Sequence, residues 1–149
     1  MSFPYSVKTA IKTVYIASSS KFVDDCKKLE EWLFEKYEVE VTRPWWRHYF
    51  KEYEKYKAMS DQEFYSDTKV QLVPVLDFKG VDDADLVIIL VKDRYKLTGA
   101  LIEMGYALAK GKPVIVFGKM KRSAMAGQCI HVQGGYDELE QVLELIIHE

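Results

Sequence analysis

The period of the hydrophobic positions changes several times along the chain, and each change marks an element. Ile11 to Ala17 (IKTVYIA) is β-branched and aromatic and reads as a strand. Ser18-Ser19-Ser20 follows it, and serine is a strong helix N-cap. Phe22, Val23, Cys26, Leu29, Trp32, Leu33 and Phe34 then recur at helical spacing with charge on the opposite face. That pattern predicts a helix from Phe22 to Tyr37. Val39-Glu40-Val41 alternates as a second strand, and Arg43-Pro44 breaks the pattern.

The next stretch, Trp45 to Tyr65, is an aromatic-rich segment set among many Lys and Glu. Trp46, Tyr49, Phe50, Tyr53 and Tyr56 share a helical spacing. Ser60-Asp61-Gln62-Glu63 has the capping-box pattern and predicts a helix running through Val70 and Val75 to about Val81, kinked or broken at Pro74. Asp85 to Val91 is a continuous apolar strand after its first residue. Leu97 to Lys110 is an apolar helix whose only acidic residue is Glu103, closed by Gly111 at C′. Pro113 to Phe117 is a fourth strand, Cys129 to Val132 a short fifth, and Asp137 to Ile147 an amphipathic last helix.

Strands and helices that alternate in this way predict an α/β fold. The expectation is one doubly wound, flavodoxin/Rossmann-like domain over residues 1–149, with a mostly parallel sheet of about five strands flanked by helices. Such sheets bind ligands outside the carboxyl ends of their strands, where the strand order switches. Three segments follow strand ends: Ser18 to Lys21, Lys92 to Gly99, and Gly118 to Gly127.

Composition narrows the partners. The 149 residues are 48% hydrophobic and 30% charged, with a net charge of -2. Binding to a nucleic acid polymer therefore has no bulk electrostatic support. No apolar run approaches a membrane span, and the first residues lack the pattern of a secretory signal. Two cysteines, Cys26 and Cys129, do not suggest a disulfide framework. A cytoplasmic location is the expectation.

The usual nucleotide fingerprints are missing. No glycine follows the first strand, so there is no G-x-G-x-x-G, and Gly111-Lys112-Pro113 does not make a P-loop. His48, His131 and His148 are scattered, and Cys129-x-His131 is a weak metal hint, so neither a metal nor a cofactor is expected. Two carboxylates stand out instead. Glu103 lies in an apolar helix between two buried strands, where an ionised group is costly without a partner or a task. Asp77 lies near the end of the helix that feeds the third strand. Cleaving a glycosidic bond needs a carboxylate to meet an oxocarbenium-like carbon and a second group to assist departure. Gly99, Ala100 and Gly105 would let a sugar come close. On the residues alone, a rim carboxylate held by lysine or backbone is an equal reading of Glu103.

The chain resembles the nucleoside 2-deoxyribosyltransferase superfamily. The resemblance is carried by Val14-Tyr15-Ile16-Ala17, by Ala84-Asp85-Leu86-Val87-Ile88-Ile89, by Thr98 to Ala107 with its Gly-x-x-x-Glu-x-Gly-Tyr-Ala segment, and by Gly111-Lys112-Pro113-Val114-Ile115. That superfamily includes base-exchanging transferases and 2'-deoxynucleoside 5'-phosphate N-hydrolases. The resemblance implies an enzyme in which Glu103 is the nucleophile toward C1′, forming a glycosyl ester. It implies that Asp77 assists base departure or orients the sugar, and that Tyr15 is the aromatic residue of the site.

The hydrolase branch carries Gly-Ser-x-Arg after the first strand to grip a 5′-phosphate, and here Ser18-Ser19-Ser20-Lys21 stands there. Ser19 matches the serine, Lys21 replaces the arginine, and Ser18 replaces the glycine. Hydroxyls, backbone N–H groups and one cation suit a phosphate, although helix capping alone also accounts for the serines. Ser123-Ala124-Met125 is similar to a segment whose serine reaches the phosphate of a neighbouring subunit, which implies a homodimer or larger homo-oligomer with shared sites. Leu97 departs from the Asp or Ser that the family often has, so either Thr98 supplies the hydroxyl from the next position or the contact is absent. Trp45, Trp46 and Tyr49 either line or cover the base or pack against the core or a subunit interface. Arg47-His48 carries no assigned role. Three functions stay in view: hydrolysis of (deoxy)nucleoside 5′-monophosphates, base exchange between free nucleosides, and nucleotide sensing without turnover.

Overall fold

The computed structural model describes residues 10–47 and 50–147, with the side chains of 50–53 outside that description. Tyr49 and the Phe50 and Tyr53 side chains of the aromatic stretch, together with His48 and His148, therefore lie outside the described residues. Five parallel strands form one sheet: β1 (Thr13–Ala17), β2 (Glu40–Val41), β3 (Leu86–Leu90), β4 (Val114–Phe117) and β5 (Ile130–Val132). Their order is β2-β1-β3-β4-β5. The chain moves outward from β1 to β2, then crosses back to build β3, β4 and β5 on the other side. The switch in strand order falls between β1 and β3.

Six described helices flank the sheet: α1 (Val23–Tyr37), α2 (Phe50–Lys57), α3 (Asp61–Ser66), α4 (Thr68–Asp83), α5 (Gly99–Ala109) and α6 (Tyr136–Ile147). The strands are buried on both faces, as parallel strands between helix layers must be. Val14, Ile16, Leu86, Ile88, Leu90 and Ile115 face the layer of α1 and α6, where Leu29, Leu33, Leu139 and Leu143 meet them. Tyr15, Ala17, Val87, Ile89, Val114 and Val116 face the layer of α4 and α5, where Val81, Ala100, Met104 and Ala107 meet them. This period-2 alternation places Tyr15 on the face that carries Asp77 and Glu103.

Two expectations change. The helix read from Ser60 to Val81 is two helices, and the break is at Asp67 rather than Pro74. Asp67 is extended (φ -69°, ψ 127°), and its carboxylate accepts from the N–H groups of Lys69 and Val70 at 2.9 and 3.0 Å. A short acidic side chain that caps the next helix ends the previous one. Pro74 lies inside α4, which continues through it. Before α1, Ser20–Phe22 forms a single 3₁₀ turn capped by Ser19, so the α-helix starts after Phe22. The rest agrees closely, including the Ser60–Glu63 capping box and Gly111 at φ +72° after α5. No helix among the described residues is long and apolar enough to cross a membrane.

Candidate active site

The two carboxylates reach one place because each lies on the sheet-facing stripe of its helix. In α5, Ala100, Met104 and Ala107 are buried, and Glu103 falls three residues after the first and four before the last. In α4, Gly80 and Val81 are buried, and Asp77 sits three and four residues before them. Such spacings share a helix face. Glu103 is in the second turn of α5, just after the segment that leaves the carboxyl end of β3.

Tyr15, wholly buried in β1, joins them by donating its hydroxyl to Glu103 Oε2. Burial pushes the Glu103 carboxyl up to about 8; the Tyr15 hydrogen bond opposes this, and the Asp77 charge adds to it. Burial, then the charges of Glu103 and Asp77, push the Tyr15 phenol above its ordinary range, so it stays an O–H donor. Asp77 is also raised by burial, against the hydrogen bond and charge of Arg43. Arg43 Nε donates to Asp77 Oδ1 at 3.2 Å.

Arg43 and Gly80 carry structural roles that the sequence did not single out. Gly80 lets α4 close on β1: a Cβ there would lie 2.6 Å from Arg43 Cβ and 3.0 Å from a Tyr15 ring carbon. Thr42 Oγ1 donates to the Gly80 carbonyl at 2.7 Å and fixes the same approach. Two signals stood in the chain. Gly80 is a glycine inside a helix, which is destabilising unless packing needs it. Arg43 lies at a break directly after a strand.

The space beside Glu103 is partly open. A Cβ on Gly99 would come no closer than 4.0 Å to Glu103 Oε1, so the glycine leaves room for a ligand. Gly105 does not share this role, because it lies about 200° around the helix from Glu103. Ala100 is buried in the core below. Thr98 precedes α5 with no side-chain capping bond. A carboxyl in an apolar setting, with a phenol donor and a second carboxyl beside it, has the components of a nucleophile for an electron-poor carbon.

The other candidate residues stand at the ends of β1 and β4. Ser18 Oγ donates to the Leu90 carbonyl at 2.6 Å, which ties β1 to β3. Ser19 Oγ accepts from Lys21 N at 3.2 Å. The Lys21 ammonium lies 4.6 Å from the Tyr95 ring centre, and the Phe22 ring meets the same tyrosine edge-on at 5.3 Å. Ser123 Oγ accepts from Met125 N at 3.3 Å in a 3₁₀ turn, and Met125 is 81% exposed.

The tryptophans belong to the packing. Trp46 is buried against α1 and donates to Glu30 Oε1 at 3.3 Å. Trp45 is partly buried, donates to the Ile16 carbonyl at 2.9 Å and packs against the cores on both sides of the sheet. Arg47 is paired with Glu30 at 2.7 Å. His131 Nε2 donates to the Ala126 carbonyl at 2.9 Å. An open groove beside α1 and β2, lined by Lys27, Glu30, Phe34 and Trp46, lacks the paired carboxyl and phenol of the site.

Comparisons with known proteins bear on the family and the fold. The family model described as nucleoside 2-deoxyribosyltransferase matches residues 14–140. A 2-deoxyribosyltransferase from Bacillus psychrosaccharolyticus is 18% identical with a TM-score of 0.61, over 88% of this chain and 95% of that one. A CMP N-glycosidase from Clostridium botulinum, BcmB, is 20% identical with a TM-score of 0.54, over 89% and 99%. A conserved protein from Enterococcus faecalis V583 is 18% identical with a TM-score of 0.56, over 93% and 99%. At such identities these likenesses establish the fold. No curated protein matches the chain by sequence. The chain belongs to the nucleoside 2-deoxyribosyltransferase family and is an enzyme of the N-glycosidic bond.

Proposed function

We propose that the protein hydrolyses the N-glycosidic bond of nucleoside 5′-monophosphates, with Glu103 as nucleophile. The observation that carries this reading is the convergence of Glu103, Tyr15 and Asp77 beside the β1/β3 switch. A Glu103 oxygen attacks C1′, the bond from C1′ to the base nitrogen breaks, and its electron pair leaves with the base, which takes a proton from solvent. Water then adds at C1′, loses a proton, and releases the sugar phosphate with the Glu103 carboxylate restored.

The 5′-phosphate assignment rests on the β1–α1 turn. Ser19 Oγ accepts from a backbone N–H, and its own proton stays available to a ligand. Lys21 has no carboxylate partner among the described residues. The nearby Asp25 is neutralised by Lys92 at 2.6 Å. In this reading Ser123 and Met125 approach the phosphate of a second copy, so the active form is a dimer.

One observation favours base exchange between free nucleosides instead. The Ser18 hydroxyl is committed to the Leu90 carbonyl, and its side chain occupies a position where a glycine would let a phosphate approach the backbone. A panel of nucleosides and 5′-monophosphates, with and without an added free base, separates the two. Base release from monophosphates alone supports hydrolysis. Exchange with the added base supports the transferase, and binding without any release refutes both.

A further inference from the structure

We propose that Arg43 is a positioning residue of the reaction, holding the Asp77 carboxylate in one orientation beside Tyr15 and Glu103. The inference rests on the N-glycosidic reading and deepens it. It begins with the backbone. Arg43 has φ +46°, a left-handed conformation that is unfavourable for a residue with a long side chain. That conformation is fastened through the neighbouring Thr42. Thr42 N donates to the Val14 carbonyl at 2.8 Å, and Thr42 Oγ1 bonds the Gly80 carbonyl.

The fastening aims the side chain. Arg43 Cβ lies over Gly80, where no other residue type would fit, and Nε meets Asp77 one helical turn earlier. The Arg43 side chain is 26% exposed and that of Asp77 15%, so the pair is shielded from water without being sealed from a ligand. Asp77 is the only ion-pair partner of Arg43 among the described residues. The ionisable groups around Asp77 are Arg43 from the segment after β2, Tyr15 from β1 and Glu103 from α5. Arg43 is the one cation of that set.

The arrangement has a chemical consequence. Burial pushes the Asp77 carboxyl up, and the hydrogen bond and charge of Arg43 oppose this, so removing Arg43 leaves burial unopposed and favours the protonated form. With Arg43 beside it the carboxylate form is favoured, and Asp77 serves as an acceptor, toward an N–H of the base or a proton of the attacking water. Its role is then to orient groups and accept hydrogen bonds, and it does not act as the proton donor.

The test compares wild type with Arg43→Met and Arg43→Lys. Methionine keeps the stem over Gly80 and removes the charge. Lysine keeps the charge and removes the Nε donor. The first readout needs no turnover: the Asp77 carboxyl is titrated by NMR in each protein. The expected result is a midpoint that rises in Arg43→Met and falls between the two in Arg43→Lys. The second readout is base release. Arg43→Met is expected to lose about ten- to a hundredfold in kcat, most strongly at acid pH, with partial rescue by lysine. In an Asp77→Asn background the same change is expected to cost less than about twofold. An unmoved Asp77 midpoint, or full independent losses in the double variant, would overturn the proposal. If Arg43→Met does not fold, Arg43→Lys alone decides it, by moving or not moving the Asp77 midpoint. Absence of base release from every substrate with wild type counts against the reaction, whereas the NMR titration still judges Arg43.

Discussion

At Glu103, burial and the Asp77 charge favour the protonated form, and the Tyr15 hydroxyl favours the ionised one. A nucleophile must be ionised, so kcat/KM is expected to rise with pH through the Glu103 value of about 8. Tyr15→Phe removes the group that favours ionisation. Its acid limb is expected to lie at higher pH than in wild type, and its rate at pH 7 is expected to be about tenfold lower. An unshifted limb would show that Tyr15 does not govern this proton. The same proton affects stability. The fold holds it up to about pH 8, whereas an ordinary glutamate releases its proton near 4.5. Folded protein therefore binds more protons than unfolded chain between these values, and stability falls as pH rises through them. The rough ceiling of this loss is 4–5 kcal/mol. Glu103→Gln is expected to abolish it, so thermal melts at pH 5 and pH 9 should separate the variant from wild type at the higher pH only. Glu103 was legible in the sequence because a lone carboxylate in an apolar helix is energetically conspicuous. Arg43 was not, because its meaning depends on a left-handed backbone and on Asp77, 34 positions away.

At the scale of elements, hydrophobic period located the strands and most of the helices, and capping chemistry corrected the rest. Two positions in the middle of the chain misled in opposite ways. Pro74 suggested a break and lies inside α4, since a long helix with other bonds intact tolerates one missing donor in tertiary context. Asp67 carried no obvious signal, yet its carboxylate ends α3 and starts α4. The aromatic segment was ambiguous because tryptophans pack cores and line pockets with equal ease. Trp46 is buried in the core and Trp45 is partly buried against it, each indole with a hydrogen-bond partner. One glycine controls how the β4 end meets its neighbours. Gly118 has φ +117°, and a Cβ there would sit 1.6 Å from the Val91 carbonyl oxygen. Gly118→Ala is expected to lose about 3–5 kcal/mol in chemical denaturation. A loss below about 1 kcal/mol would mean that the β3 and β4 ends separate easily.

At the scale of the molecule, strand order does the assembling. With β1 and β3 adjacent, a tyrosine from the first strand meets acids from the helices on either side of the third, 62 and 88 positions along the chain from it. The alternation of strands and helices made the fold class readable. The placement of Asp77 and Glu103 together came through family resemblance, because side-chain convergence across a sheet leaves no local pattern. The proposed dimer would cover two exposed apolar side chains: Ile102, next to Glu103, is 61% exposed, and Met125 is 81% exposed. Light scattering on purified protein is expected to give at least the mass of two chains. A single-chain mass, with full activity at that concentration, would remove Ser123 from the site.

The central claim is that Glu103 becomes covalently bound to the sugar. Rapid acid quench of wild-type protein with a 2′-deoxynucleoside 5′-monophosphate, followed by digestion and mass spectrometry, tests it directly. The expected result is a deoxyribose-phosphate adduct on the peptide carrying Glu103, absent from Glu103→Gln. Base release by wild type with no adduct at any quench time, and comparable release by Glu103→Gln, would contradict the account.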